Sequence, residues 1–158
     1  MIKKLIKYTF VLLLLTLEAC SYKPIYSNNK ISFEISDIIF TGEKDINKII
    51  KRKLSLNREE GERNIKVYNL EIDTIKKRII VSKDSKGDPI KFELIITANY
   101  SVYDEGKLIL TNKIEKNNIY NNDSDKFKLS QNEQITLENM SEIISDNIIS
   151  SIININDN

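Results

Sequence analysis

Ile90-Lys91-Phe92-Glu93-Leu94-Ile95-Ile96-Thr97-Ala98-Asn99-Tyr100-Ser101-Val102 is the stretch that decides the fold. Every even-numbered residue in it is apolar or aromatic. The odd-numbered residues are polar or charged, with Ile95 the exception. A period of two marks a strand with one covered face, and such alternation belongs to antiparallel sheets. The strand is therefore expected to be central, with its even-numbered side chains against a layer of helices. Asp104-Glu105-Gly106 follows directly and reads as a tight hairpin turn. Leu108, Leu110 and Ile114 carry the next strand on to about Tyr120.

Upstream, Asn64 to Ser82 is a long β-prone segment. Ile65 and Val67 set one phase, while Tyr68, Leu70 and Ile72 set the other. A change of phase suggests a bulge or break near Val67–Tyr68. Lys76-Lys77-Arg78 precede Ile79-Ile80-Val81, and Lys83 to Pro89 form a turn punctuated by Gly87 and Pro89. Earlier still, Ile31, Phe33 and Ile35 alternate with polar residues, Ile38-Ile39-Phe40 extend that strand, and Thr41-Gly42 end it. Glu43 to about Leu56 reads as a helix, with Ile46, Ile49, Ile50 and Leu54 in one apolar stripe. Acidic Glu43 and Asp45 at its start and basic Lys51, Arg52 and Lys53 toward its end suit the helix dipole. That basic cluster is either an anion site or a solvated face. Asn57 to Arg63 is a loop.

After the strands, Asn121 to Lys128 is polar. Ser130 and Glu133 have the spacing of a capping box. The helix they open presents Leu137, Met140, Ile144, Ile148 and Ile152, and ends near Ile153. The order is β-α-β-β-β-α. That order implies an α+β two-layer sandwich: a mixed, mostly antiparallel four-stranded sheet with two helices on one face. Ile, Asn and Lys are abundant throughout, so periodicity carries more information here than residue identity.

The N-terminus has a different character. Lys3, Lys4 and Lys7 precede the apolar run Tyr8–Leu17, and Leu17-Glu18-Ala19-Cys20 follows. A basic start, a short apolar core and a small residue at the cut site are the marks of an export signal. The apolar run is ten residues, against the roughly 20 that a spanning helix needs. Cys20 is the single cysteine of the chain, and it stands where a lipoprotein signal places its acylated residue. Glu18 departs from the small or apolar residue usual there. The chain thus divides into a lipoprotein signal peptide (1–19), an acylated N-terminus and tether (20–30) and one α+β domain (31–155).

Composition narrows the function. The 158-residue chain carries 24 basic and 23 acidic residues and no His. Removal of residues 1–19 takes away three Lys and one Glu, leaving a net charge of −1. No strongly basic balance points to nucleic acid. Without His or a second Cys, there is no set for a transition-metal site or for Ser-His or Cys-His catalysis. No glycine-rich phosphate loop or EF-hand pattern occurs. Carboxylate chemistry stays open, but no paired Asp or Glu motif stands out; the expectation is a non-enzyme with no cofactor and no metal.

Cys20-Ser21-Tyr22-Lys23-Pro24-Ile25-Tyr26 resembles the mature N-terminus of the LPS-assembly lipoprotein family LptE, in its alphaproteobacterial branch. The order of elements and the Asn132-Glu133-Gln134 segment agree with that resemblance. It implies an outer-membrane lipoprotein exported through the Sec pathway and anchored at the periplasmic face by its acyl chains. It also implies a plug for the LptD β-barrel, which such proteins help to assemble, and assistance in moving lipopolysaccharide to the cell surface. Ser21 in place of Asp fits sorting to the outer membrane. By region, the resemblance places lipopolysaccharide contacts at Lys83, Lys86, Lys126 and Lys128. The competing reading is an auxiliary lipoprotein of a lipid-transporting ABC system, or a structural envelope lipoprotein.

If Cys20 carries the lipid, Cys20→Ala leaves an unprocessed precursor that takes up no radioactive palmitate. Labelling equal to wild type would refute the assignment.

Overall fold

The computed structural model describes residues 33–56 and 66–156. Cys20, the signal and tether, Ile31, Ile65 and the loop Asn57–Arg63 lie outside the described residues. Six elements follow in the expected order: β1 (Phe33–Gly42), α1 (Lys44–Leu56), β2 (Lys66–Lys83), β3 (Pro89–Asp104), β4 (Lys107–Asn121) and α2 (Lys126–Asn156). The four strands form one sheet in the order β1-β2-β3-β4. β1 and β2 are parallel, and the other two pairs are antiparallel.

Burial along β3 alternates from Phe92 to Val102. Phe92, Leu94, Ile96, Ala98, Tyr100 and Val102 are all buried, and four of these are at 0% exposure. They meet Tyr68, Leu70 and Ile72 of β2, the apolar stripe of α1 and Leu137, Met140, Ile144, Ile148 and Ile152 of α2 in one core. Ile90 is the exception among the even-numbered residues and is exposed. The pairing of β2 with β3 shifts at Ile80–Ser82–Lys83, so Ile90 falls in an irregular stretch beside the turn.

The crossover from β1 to α1 rests on Gly42, whose φ is +84°. A Cβ there would lie 1.9 Å from the carbonyl oxygen of Thr74, so only glycine fits. Buried Thr74 anchors the junction. The Glu43 amide donates to the Thr74 carbonyl at 3.2 Å and to its hydroxyl oxygen at 3.0 Å. The Thr74 hydroxyl donates to Asn47 Oδ1 at 2.7 Å, and Asn47 Nδ2 donates to the Thr41 carbonyl.

Four expectations shift. The irregularity expected near Val67–Tyr68 lies on the partner strand, between Ile35 and Asp37 of β1, opposite Tyr68 and Asn69. Ser36 is the extra residue. It moves the apolar phase of β1 from Phe33 and Ile35 to Ile38 and Phe40 and leaves Ile39 exposed. Leu108 points away from the core, because a shift between Val102 and Tyr103 puts it opposite Tyr103. α2 begins a turn earlier than Ser130. Asp125 Oδ1 accepts from the amides of Phe127 (3.0 Å) and Lys128 (3.3 Å), capping the helix before the Ser130–Glu133 pair is reached. α2 also runs past Ile153 to Asn156.

Arg52 and Lys53 of the basic cluster face the other helix, while Lys51 lines a cleft over β1. Arg52 pairs with Glu142 at 3.7 Å and Lys53 with Asp146 at 3.5 Å. These are exposed pairs, each worth at most about 1 kcal/mol. They orient the helices more than they stabilise them. Buried Ser141 and Ser145 satisfy their hydroxyls by donating to the carbonyls of Leu137 and Ser141.

Burying a charge without a partner is costly. Leu94→Lys should therefore abolish cooperative unfolding, whereas Thr97→Lys, on the opposite face, should cost under about 1 kcal/mol. Thermal melts of the two variants check this. The inverse result would mean the faces of β3 are exchanged.

Candidate lipid-binding end

The β2–β3 hairpin closes through Asp84-Ser85-Lys86-Gly87-Asp88. Asp84 Oδ1 accepts from the amides of Lys86 (2.9 Å) and Asp88 (2.8 Å), and the Asp84 amide donates to the Asp88 carbonyl (2.9 Å). Gly87 has φ +89°. The turn is locked by its own aspartate. Lys83 ends β2 and Lys86 sits in the turn, and both are exposed.

The segment between β4 and α2 is tied to the same hairpin. The Asn122 amide donates to the Ile90 carbonyl at 2.7 Å, and its side-chain Nδ2 donates to the Pro89 carbonyl at 2.8 Å. Asp125, held through its amide by Asp123 Oδ1 at 2.9 Å, then opens α2. Lys126 and Lys128 lie in the first turn of α2 and are exposed. All four lysines therefore stand at one end of the sheet, on two elements joined by hydrogen bonds. Lys126 also lines a cleft of about 250 Å³.

Two further cations line that cleft, Lys76 and Arg78 of β2. The sequence carried a signal for them. They continue the even phase of Tyr68, Leu70, Ile72 and Thr74 and so belong to the helix-facing side. Read only as a basic run, Lys76-Lys77-Arg78 gave no site. Arg78 is held by two partners, Phe92 and Glu133. Its guanidinium carbon lies 3.8 Å from the centre of the Phe92 ring. Nη1 is 3.5 Å from Glu133 Oε2. Phe92 packs on Tyr120 with ring centres 5.8 Å apart, and the Tyr120 hydroxyl donates to the same Glu133 oxygen at 2.8 Å.

Tyr120 is held in its neutral form. Burial, then its hydrogen bond to Glu133, then the Glu133 charge push its pKa up to about 12, with Arg78 pulling the other way. Asp45 and Glu133 are the carboxylates in the cleft, against three cations. The cleft can hold an anion or an amphiphile. A second cleft, of about 270 Å³, lies over the β1 bulge beside Lys51 and Leu54. The register places it at the other end of the strands, where Phe33 pairs with Lys66.

The family described as "LptE: Lipopolysaccharide-assembly" matches residues 33–152. The chain belongs to the LptE family. The match identifies the family and not a branch of it. It covers the whole sheet, α1 and most of α2, including the basic end. Similar solved structures include the rare lipoprotein B of Shewanella oneidensis (20% identity, TM-score 0.59, 77% of this chain and 96% of that one). Lipoprotein B of Nitrosomonas europaea is similar at 15% identity and TM-score 0.62, over 85% and 94% of the two chains. A minor lipoprotein of Acinetobacter baumannii matches at 15% identity and TM-score 0.54, over 75% and 92%. At such identities the likeness shows a shared fold. No curated protein matches the chain in sequence.

The raised Tyr120 pKa has a pH signature. An unfolded tyrosine ionises near pH 10, whereas Tyr120 in the folded chain does so near 12. Its contribution is complete below pH 10 and lost as pH rises from about 10 to about 12. Tyr120→Phe should be less stable than wild type at pH 8, and the gap should narrow by about 2 kcal/mol by pH 12. Chemical denaturation at both pH values checks this; a gap that stays constant would refute it.

Proposed function

We propose that this LptE-family chain is an outer-membrane lipoprotein. On this reading it is exported through the Sec pathway, cleaved after Ala19 and acylated at Cys20, with residues 20–30 as a tether to the domain at 31–155. It seats inside an LptD-like β-barrel, helps that barrel assemble and assists lipopolysaccharide on its way to the cell surface. The family match over residues 33–152 carries the reading. The lone cysteine behind a short apolar run supports the anchor. Several acyl chains exceed the single chain that gives only marginal membrane binding, so the anchoring is stable.

Its chemistry is binding without bond-breaking. Lys83, Lys86, Lys126 and Lys128 meet the lipid A phosphates, Lys being a point-charge phosphate binder. Their gathering at one end supports that role. Exposed charges of this kind act most strongly at low salt. They can weaken the packing of lipid A molecules against one another by taking over contacts to phosphate.

Two measurements test the reading. Full-length protein pulled from membranes should bring a large β-barrel with it; recovery of an ATPase and inner-membrane subunits instead would support the ABC-system alternative. Replacing all four lysines with Ala should lower lipopolysaccharide affinity at low salt, while thermal stability and barrel recovery stay near wild type. Unchanged affinity at low salt would place the contact elsewhere.

A further inference from the structure

The cations of α1 divide between two directions. Arg52 and Lys53 reach α2. Lys44, Lys48 and Lys51 are exposed and form no ion pair among the described residues. Spacings of four and three put them on one face of the helix. Lys51 and Ser55, the next residue on that face, line the cleft over the β1 bulge with Phe33, Ile35, Leu54 and Ile149. α1 starts beside Gly42 and brings Leu54 back to Phe33, so it retraces β1. The three lysines therefore form a ridge that follows β1.

β1 is the end strand of the sheet, and among the described residues it pairs with β2 alone. Its first half is blunted as an edge. Ser36 bulges out of the pairing, and the Ile38 amide donates to Asp37 Oδ1 at 2.9 Å. Past Ile38 the strand carries no carboxylate, and this is the part that lies nearest Lys44 and Lys48. We propose that this flank docks an extended, acidic polypeptide segment of a partner protein, which adds to β1 as a further strand and sets its carboxylates against Lys44, Lys48 and Lys51. Charge complementarity and spacing select that occupant. Lys44 to Lys48 rises about 6 Å along the helix, and alternate residues of a strand lie about 6.6 Å apart. A carboxylate at every second position keeps step with the lysines. Backbone pairing supplies the affinity of such docking and the alternate side chains its selectivity. At the bulge, the cleft of about 270 Å³ can take one apolar side chain of the segment. A membrane surface suits the flank less. A helix that lies in a bilayer needs an exposed apolar face, whereas Ile46, Ile49, Ile50 and Leu54 of α1 are buried in the core. The proposal does not rest on the lysines of the hairpin and α2.

The test uses the acylated full-length protein in non-ionic detergent and a short fluorescent peptide of alternating glutamate and valine, read by anisotropy. One counterpart peptide carries lysine for glutamate, and another is N-methylated throughout and cannot donate to β1. The glutamate peptide should bind, the other two should not, and amides of β1 should exchange more slowly in the complex. Replacing Lys44, Lys48 and Lys51 together with Ala should weaken binding about tenfold, the sum of three exposed charge contacts, and added salt should erase most of that difference. The three sites are exposed and Ala favours helix, so the thermal melt of the variant should match wild type. No binding of the glutamate peptide to wild type overturns the proposal. Equal binding of the N-methylated peptide refutes strand addition; equal binding of the lysine peptide, or by the triple variant, refutes the ridge. Displacement of the peptide by phosphatidylglycerol micelles at lower concentration would make the flank a lipid surface. A dimer that the triple variant abolishes would make the occupant a second copy, and either result overturns the proposal.

Discussion

The dry face of β3 is the constraint on which the other elements depend. Six side chains from Phe92 to Val102 lie buried on one side of a single strand. Each large one contributes on the order of 1.5–3 kcal/mol when removed from water. A face that long needs a cover of matching length. α1 and the longer α2 supply it, with apolar stripes at helical spacing. Register follows from the same demand, since a slip of one residue would expose the whole set. The bulges lie where that demand weakens or changes phase: at Ser36 in β1, beside Val102–Tyr103, and at Ile80–Lys83 near the hairpin tip.

The helices do not cover the whole sheet, and the uncovered part carries the candidate function. Beyond Lys76 the helix-facing side of β2 turns from apolar to cationic while keeping its phase. There the core gives way to a layered set of Arg78, Phe92, Tyr120 and Glu133. Tyr120 is protonated at physiological pH, as an ordinary tyrosine is, and its hydroxyl donates to Glu133. Glu133 in turn steadies Arg78 without filling the cleft. The arrangement uses polar side chains to make that end of the sheet rigid.

The clefts beside Lys76–Arg78 and over the β1 bulge are open and modest, about 250 and 270 Å³. Recognition would then fall to surface chemistry at the end of the sheet, where Asn122 joins β4's exit to the hairpin. Exposed Ile75 and Ile79 on β2 and Ile119 on β4 add apolar area on the face turned from the helices.

Much of this architecture was legible in the residues themselves. The alternation from Phe92 to Val102, the stripe Ile46–Leu54, the stripe Leu137–Ile152 and the hairpin at Glu105-Gly106 are local patterns, and local backbone geometry reads them directly. Glu105 and Gly106 both adopt positive φ, as a two-residue hairpin turn demands. What the sequence left open depended on partners far along the chain. The bulge moved from Val67–Tyr68 to Ser36 because phase is settled between paired strands. Glu133 left its capping box because Tyr120 and Arg78, distant in sequence, offered its carboxylate a better position, and Asp125 had already capped the helix. Lys76 and Arg78 joined Lys126 only once α2 packed on the sheet face to which β2 sends them. The sequence determined the elements and their apolar faces, because periodicity is a property of neighbours. The tertiary structure alone decided which charges converge, because convergence is set by the packing of one layer on another.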